Sequence, residues 1–306
     1  MDTERKILKR FRWEDLTDEG LFEAWSDVKK RLQTRLSVCP EVQLDSLATC
    51  NGRALNELKA RCAISNFALY RVAANEGTLD GACEALTTFS RSLGFSLGEQ
   101  HRSAGDWGVV ALRPSSDASK QGYIPYSNRP LNWHTDGYYS PAPSPVKAFI
   151  LHCHQQAEHG GENRVADPEM AYLRLREENP EFVRALMHPE AMTIPENREP
   201  DGTLRPVSVG PVFFADTASG RLQMRYTART RSILWRDDAT TRQAVTWLGK
   251  WLQSDDPSIR SLRLEPGQGI VSNNVLHNRT GFDNSTGTEN ARTMLRIRFH
   301  ERLSEE

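Results

Sequence analysis

The stretch NWHTDGYY, residues 132–139, places a histidine and an aspartate two positions apart among aromatic residues. If the stretch is extended, side chains at i and i+2 point to the same face of the strand. His134 and Asp136 would then bring an imidazole nitrogen and a carboxylate oxygen towards one point, which is two thirds of a facial metal site. A lone His-x-Asp also fits a strand-end histidine paired with a neighbouring acid, so the pair needs support from the rest of the chain.

The chain changes character at about residue 105, where short apolar runs begin to alternate with Gly, Pro and Asn. This pattern predicts many short strands and therefore a sandwich or barrel. The strands are expected at 108–112, 145–153, 211–214, 221–226, 261–264, 269–272 and 292–299. In the last of these, Met294, Arg296 and Arg298 share one face, and the apolar residues 295, 297 and 299 share the other.

The first hundred residues are predicted to be mostly helical, with helices over 14–35, 52–61 and 78–93 and a strand over 64–72. Helical inserts are expected at 167–187 and 239–253, and a polar loop at 195–208. No linker divides the sequence. We therefore predict one catalytic domain over 1–306, with helical residues 1–100 and a β core over 105–300.

Composition excludes several classes of protein. The net charge of -1 provides no basic field for nucleic acid, and no apolar run is long enough for a membrane span. Five scattered cysteines argue against a disulfide framework or a zinc ribbon. With no signal peptide expected, these features predict a cytoplasmic protein that acts on a small molecule, and a homo-oligomer is possible.

Two further residues complete the chemistry suggested by the His-x-Asp pair. His277 lies at the far end of a predicted strand, and Arg292 begins a strand that returns after a Gly/Asn/Ser-rich hairpin. Two imidazoles and one carboxylate suit Fe(II) and leave three coordination positions open. A 2-oxo acid fills two of them and dioxygen the last, while an arginine is a fixed, bidentate partner for the acid's far carboxylate.

In this combination the sequence resembles the Fe(II)/2-oxoglutarate-dependent dioxygenases of the TauD/TfdA-like family, and within it the γ-butyrobetaine hydroxylase-like branch. The resemblance covers about 54–299 and depends on six stretches in order: 126–136 with its His-x-Asp, Leu-His-Cys at 151–153, Gly-Gly-Glu-Asn at 160–163, Leu-Glu-Pro-Gly at 264–267, Leu-His at 276–277, and the arginine strand.

The resemblance implies a fold that is mainly β with flanking helices, a double-stranded β-helix or jelly roll. It also implies Fe(II), 2-oxoglutarate and O2 as cofactors, with release of succinate and CO2 as a substrate C–H bond is hydroxylated. The site residues that it implies are His134, Asp136 and His277 as metal ligands and catalytic residues, Arg292 and Asn163 for 2-oxoglutarate, and Tyr126 and Arg296 for substrate. Tyr138 and Arg298 are further candidates for substrate binding, although Arg298 stands where the butyrobetaine enzymes have a pocket tyrosine. The gap from His277 to Arg292 is a few residues longer than is typical, which leaves Arg296 as an alternative anchor.

The substrate is expected to be a small zwitterion or carboxylate, such as an amino acid or a betaine. The arginines at 296 and 298 suggest an acidic group, and nearby aromatics allow an ammonium end through cation–π contact. An organosulfonate or aryloxy acid is the alternative, and desaturation or demethylation would use the same residues. Two other classes stay open: a cupin-like metal site built from His152, His154 and His159, and a non-catalytic binding protein that retains the fold.

Overall fold

The structure, a computed structural model, describes residues 2–38, 41–73, 77–96, 98–99, 108–115, 117, 123–140, 144–198, 202–283 and 291–304. Its helices are α1 (Asp2–Arg10), α2 (Glu19–Ser37), α3 (Gly52–Ser65), α4 (Leu79–Ser92), α5 (Pro168–Glu178), α6 (Pro180–Leu186) and α7 (Ala239–Gln253). Its strands are β1 (Val42–Leu44), β2 (Phe67–Val72), β3 (Val110–Leu112), β4 (Leu131–His134), β5 (Ala148–Gln155), β6 (His159–Gly160), β7 (Asn163–Ala166), β8 (Met192–Ile194), β9 (Asn197–Arg198), β10 (Leu204–Arg205), β11 (Ser208–Gly210), β12 (Phe213–Ala215), β13 (Leu222–Met224), β14 (Leu234–Trp235), β15 (Ile259–Leu262), β16 (Gln268–Ser272), β17 (Leu276–Arg279), β18 (Phe282–Asp283) and β19 (Thr293–Phe299).

Two sheets form the centre of the molecule. The larger has the order β1-β2-β16-β5-β19-β3, and the smaller has the order β15-β7-β17-β4. Every pairing in them is antiparallel except that of β1 with β2. Neighbouring strands come from distant parts of the sequence, which is typical of a jelly roll and confirms the predicted fold class.

Strand alternation explains how the sheets separate a helix-covered side from an interior. On β19, Leu295, Ile297 and Phe299 pack with residues of α3 and α4, as their predicted shared face requires. On the smaller sheet, Trp133 and Leu276 pack outwards with residues of α2, α5 and α7. The residues that follow each of these two in sequence therefore point inwards, and they are His134 and His277.

The N-terminal part differs from the sequence-based expectation in several respects. Helix α1 and strand β1 were not expected, α2 begins at Glu19 instead of at residue 14, and β2 begins later than predicted. Residues 64 and 65 were expected in a strand, but α3 continues to Ser65 and ends at Asn66, whose φ of 61° is left-handed. The Ile64 carbonyl accepts a hydrogen bond from the buried Nζ of Lys29, which also contacts Asp167 at 2.7 Å. The strand therefore begins at Phe67. Because β1 and β2 both belong to the larger sheet, the N-terminal part of the chain is not a separate helical region.

The predicted loop at 195–208 is also more ordered than expected. Within its described part, β9 and β10 form a short antiparallel hairpin, and Ser208 begins β11, which pairs with β8. In the described part of the chain, no helix is long and apolar enough to cross a membrane.

Candidate active site

The three predicted metal ligands meet at the interior end of two adjacent strands. His134 on β4 and His277 on β17 are register partners, and their ring centroids lie 4.2 Å apart. Asp136 follows β4 directly, and its Oδ1 lies 3.8 Å from His134 Nε2. One ligand atom from each of the three residues falls within 4.8 Å of the others, which no other group of His, Cys, Asp and Glu in the described ranges achieves.

Backbone contacts fix which nitrogen of each histidine faces the site. The Nδ1 of His134 lies 2.9 Å from the Asn132 carbonyl, and the Nδ1 of His277 lies 2.9 Å from the Val275 carbonyl. Because a carbonyl oxygen only accepts, each Nδ1 carries the proton, and each Nε2 keeps a lone pair for a metal. Burial, and then the neighbouring His277, lowers the pKa of His134 to about 3, so the ring is neutral at physiological pH.

Asp136 supplies the anionic ligand. Burial alone would raise its pKa, but Arg296 and Arg298 outweigh that effect and hold the pKa below its usual range. Its Oδ1 accepts a hydrogen bond from Arg296 at 3.1 Å. Its Oδ2 is buried without a hydrogen-bond partner among the described residues. A buried carboxylate oxygen of this kind beside two unprotonated Nε2 atoms fits a divalent cation, and the 2-His-1-carboxylate set suits Fe(II).

The backbone of Asp136 is held by a residue that the sequence did not single out. Asn274, in the turn before β17, accepts a hydrogen bond from the Asp136 N–H at 2.8 Å through its Oδ1. Its Nδ2 donates to the carbonyls of Asp136 at 3.0 Å and Val146 at 2.7 Å. Asn274 is 3% exposed, and its φ of 56° is left-handed, a conformation that Asn tolerates better than most residues. It therefore joins the turn before one metal ligand to the backbone of another.

A glycine permits the turn that follows Asp136. Gly137 has a φ of +66°, and a Cβ at this position would lie 2.5 Å from Cγ2 of Val146. Both the backbone conformation and the available space thus favour glycine here.

A cavity between the two sheets extends from the histidines. Its polar lining consists of His134, Asn163, His277, Asn278, Arg279, Arg292 and Arg296, and its walls include Leu112, Leu131, Phe149, Leu151 and Met294. Three arginines and no acid line it among the described residues. Such a cavity suits an anionic molecule with a short apolar middle.

Arg292 lines this cavity, four residues before Arg296 in the sequence, and is tightly packed. Its guanidinium is 5.1 Å from the ring centroid of Phe282, and burial lowers its pKa to about 10, so it remains charged at neutral pH. Gly161, with a φ of +75°, packs directly against it, since a Cβ there would lie 3.0 Å from Arg292 Nε. The Gly-Gly turn at 160–161 thus leaves room for the arginine and leads into Asn163. The predicted hairpin between His277 and Arg292 falls largely on 284–290, outside the described residues.

The four predicted substrate residues lie in four different environments. Arg296 lines the cavity and bonds Asp136, whereas Arg298 contacts Tyr139 Oη at 3.2 Å and pairs with Glu99. The ring of Tyr138 meets His134 edge-on, with centroids 6.4 Å apart. Tyr126 is buried with Leu112 and Met294, which line the cavity, and it is not itself among the lining residues.

Basic residues also surround the tyrosines after Asp136. Arg205, on the 195–208 segment, lies 5.8 Å from the Tyr139 ring centroid, and the exposed Arg229 lies 6.0 Å from that of Tyr138. Arg225, buried enough to lower its pKa to about 10, donates to the carbonyls of Tyr138 at 2.7 Å and Ser208 at 2.7 Å. One arginine therefore fixes the relative position of two segments that border the site.

The alternative metal cluster is not assembled. His152 is buried beside Tyr70, with His152 Nδ1 and Tyr70 Oη 3.1 Å apart, and burial lowers its pKa to about 4. His154 is partly buried and His159 is exposed. Among the described residues these three do not bring ligand atoms together as the 134, 136 and 277 set does.

Comparisons with known proteins agree with this geometry. The family model described as "Taurine catabolism dioxygenase TauD, TfdA family" matches residues 76–298. A uridine-5'-phosphate dioxygenase from an Amycolatopsis species is 32% identical over 161 residues, a match that covers 49% of this chain and 54% of the relative. The chain thus spans about half the length of this curated relative.

Two solved structures share the fold. An asparagine oxygenase, in complex with Fe(II), 3-hydroxyasparagine and succinate, aligns with a TM-score of 0.60 at 14% identity, covering 98% of this chain and 92% of that one. The non-haem iron oxygenase OrfP, in complex with Fe, succinate and hydroxyarginine, aligns with a TM-score of 0.59 at 16% identity, covering 90% and 91%. At these identities the likeness concerns the fold alone.

Proposed function

Since the match over 76–298 makes this chain a member of the TauD/TfdA dioxygenase family, we propose that it oxidises a small carboxylate-bearing substrate of amino-acid or betaine type. Membership confirms the predicted class, a 2-oxoglutarate-dependent non-haem iron dioxygenase, and with it iron and 2-oxoglutarate as cofactors. The finer assignment to the γ-butyrobetaine hydroxylase-like branch stays a prediction.

The roles proposed for the metal ligands follow from the site geometry. His134 and His277 would hold Fe(II) through Nε2, and Asp136 would hold it through a carboxylate oxygen. Bound iron, 2-oxoglutarate and dioxygen together supply the oxidising power, with succinate and CO2 as co-products. The carboxylate at 136 fills a coordination position that a halide would need, which favours hydroxylation over halogenation.

Arg292 and Asn163 are proposed to bind 2-oxoglutarate. The observation that supports this is that Arg292 is buried and charged and lines the same cavity as the two histidines. Arg296 lies closer to the metal ligands, because it bonds Asp136 directly. We therefore assign the distal carboxylate to Arg292 and the acidic group of the substrate to Arg296.

The test is anaerobic titration of the Fe(II)-loaded protein with 2-oxoglutarate, followed by aerobic measurement of succinate release. Amino acids and betaines are expected to increase succinate release, and Arg296→Gln should remove that increase while 2-oxoglutarate still binds. If an organosulfonate or an aryloxy acid stimulates turnover and no amino acid or betaine does, the substrate assignment is wrong. If no 2-oxoglutarate binds, the assignment of the cosubstrate site fails as well.

A second candidate is a nucleoside phosphate. Arg205 and Arg229, positioned over Tyr139 and Tyr138, offer positive charge beside aromatic rings, which suits a phosphate joined to a base. The relative that acts on uridine-5'-phosphate supports including it. Uridine-5'-phosphate therefore belongs in the same succinate assay, with Arg229→Gln as the diagnostic variant. Stimulation by the nucleotide that is lost in this variant would favour the second candidate.

A further inference from the structure

We propose that Arg279 is a second anchor for the distal carboxylate of 2-oxoglutarate, acting beside Arg292. This inference rests on the proposed function and adds a residue to the cosubstrate half of the same site.

The position of Arg279 is set by the strand that carries a metal ligand. Arg279 follows His277 by two residues on β17, and it is the register partner of Asn163 on β7. Both Arg279 and Asn163 line the cavity. Its guanidinium lies 4.8 Å from the ring centroid of Phe282, the same ring that Arg292 approaches to 5.1 Å. The two arginines, one from each of the two main sheets or its edge, therefore line the same cavity and approach the same ring.

The hydrogen bonds of Arg279 leave its charge uncompensated. Its Nη2 donates to the carbonyls of Ser127 at 2.9 Å and Arg129 at 2.5 Å, which are neutral acceptors. Its Nε is buried without a hydrogen-bond partner, and no acid forms an ion pair with it among the described residues. The side chain is only 6% exposed, so water does little to solvate this charge.

A buried arginine such as Arg279, with no ion-pair partner among the described residues and in the wall of a cavity, favours an anion in that cavity. An arginine stays protonated in proteins, so Arg279 carries its positive charge at neutral pH. Buried charges in proteins are normally paired or hydrogen-bonded to charged groups. We place the distal carboxylate in the part of the cavity that Arg292 and Arg279 both line. The anion class that fits is a dicarboxylic 2-oxo acid, whose other end reaches the metal.

A purely structural role is the alternative, because the two carbonyl bonds hold the segment that leads into β4. The two roles differ in what they recognise. An anchor responds to the distal carboxylate of the ligand, whereas a structural residue affects every ligand of the site equally. The comparison of 2-oxoglutarate with 2-oxovalerate, which has the same carbon chain without the distal carboxylate, separates them.

The experiment measures the Kd of both acids for the Fe(II)-loaded protein by anaerobic calorimetry, in the wild type and in Arg279→Gln and Arg279→Lys. Arg279→Gln should weaken 2-oxoglutarate about 10- to 100-fold, the size of a lost charge-assisted hydrogen bond, and change 2-oxovalerate by less than about twofold. Arg279→Lys keeps the charge and should show a smaller selective loss. If the glutamine variant does not fold, the Kd values of the two acids are compared between Arg279→Lys and the wild type instead.

The control is Arg263→Gln, since Arg263 also donates to two backbone carbonyls, those of Ala157 and Glu158, and is not among the cavity-lining residues. It should bind both acids as the wild type does. Equal weakening of both acids by the Arg279 variants, or unchanged binding of 2-oxoglutarate, would overturn the inference while leaving the proposed function intact. Failure of the wild type to bind 2-oxoglutarate would overturn both.

Discussion

Asn274→Gly tests whether a remote turn holds the metal-binding carboxylate in place. The change removes three hydrogen bonds, two to the backbone of Asp136 and one to the Val146 carbonyl, without straining the left-handed backbone. Each buried hydrogen bond contributes roughly 1 kcal/mol, and each polar group left unpaired adds a penalty. We expect the free energy of unfolding of the apo protein to fall by about 3 kcal/mol, from these bonds and penalties together.

The same change should weaken metal binding beyond its effect on stability. Asp136 keeps its side chain but loses the contacts that orient its backbone, and losses of this kind typically reduce metal affinity about 10- to 100-fold. Anaerobic calorimetry with Fe(II) measures the affinity, and urea denaturation of the apo protein measures stability.

The neighbouring Asn273 offers a matched control. It is equally buried at 3% exposure, and its Oδ1 accepts a hydrogen bond from the Leu303 N–H at 2.9 Å. Among the described residues its side chain forms no hydrogen bond with a metal ligand. Asn273→Gly should therefore lower stability and leave Fe(II) affinity unchanged. If both variants bind Fe(II) like the wild type, or both lose affinity to the same extent, the reasoning about Asn274 is refuted.

Three further changes probe other parts of the site. His134→Ala should abolish Fe(II) binding in calorimetry, whereas His154→Ala should preserve it; the reverse pattern would favour the cupin-like alternative. Gly161→Ala places a methyl group about 3.0 Å from Arg292 Nε at a φ of +75°. The Kd for 2-oxoglutarate should therefore rise several-fold, whereas the affinity for Fe(II) should not change. An unaltered Kd for 2-oxoglutarate would contradict this packing argument. Burial lowers the pKa of His152 from 6.5 to about 4, so between these pH values this histidine is protonated in the unfolded chain and neutral in the folded protein. The free energy of unfolding should therefore fall by roughly 3 kcal/mol as the pH drops from 6.5 to 4. Urea denaturation across this range should show a flatter pH dependence for His152→Asn, and an unchanged slope would mean that this histidine is not kept neutral.

The parts of the fold that follow local periodicity were predictable from the sequence. The alternation on β19 correctly separates the apolar residues that pack against α3 and α4 from Met294 and Arg296, which line the cavity. The helix α7 was predicted with the bounds that it has, and α4 ends one residue earlier than expected. These elements bury one face along most of their length, so their hydrophobic pattern is repeated several times.

Two differences from the expectation, the start of β2 and the hairpin at 197–205, lie where the residue pattern of the segment itself does not decide the local structure. The start of β2 depends on a left-handed Asn66 and on Lys29, which bonds the Ile64 carbonyl from a different helix. Nothing within the segment itself carries that information. The hairpin at 197–205 has only two residues in each strand, too few for an alternating pattern to be recognised.

The same reasoning explains which site residues were missed. His134, Asp136 and His277 occupy recognisable positions in a motif, and the structure brings them together. Asn274 and Arg279 have no such signal, because the backbone groups that they contact lie far away in sequence. The adjacent Asn273 and Asn274 look alike in the sequence, and only the turn geometry gives one of them contact with Asp136.

The arrangement of the site has a consequence for how such an enzyme can be redesigned. The proposed iron and 2-oxoglutarate residues lie on or beside the paired strands of the two main sheets, whereas Tyr138, Tyr139, Arg205 and Arg229 lie on connecting segments or short peripheral strands. Exchange of these segments is therefore expected to change the substrate specificity without changing the residues proposed to bind iron and 2-oxoglutarate. Arg225 limits this freedom, because its bonds to the Tyr138 and Ser208 carbonyls make the 137–140 and 208–210 segments a single transplantable unit. A graft that moves one of them without the other would leave a buried arginine facing the wrong carbonyls.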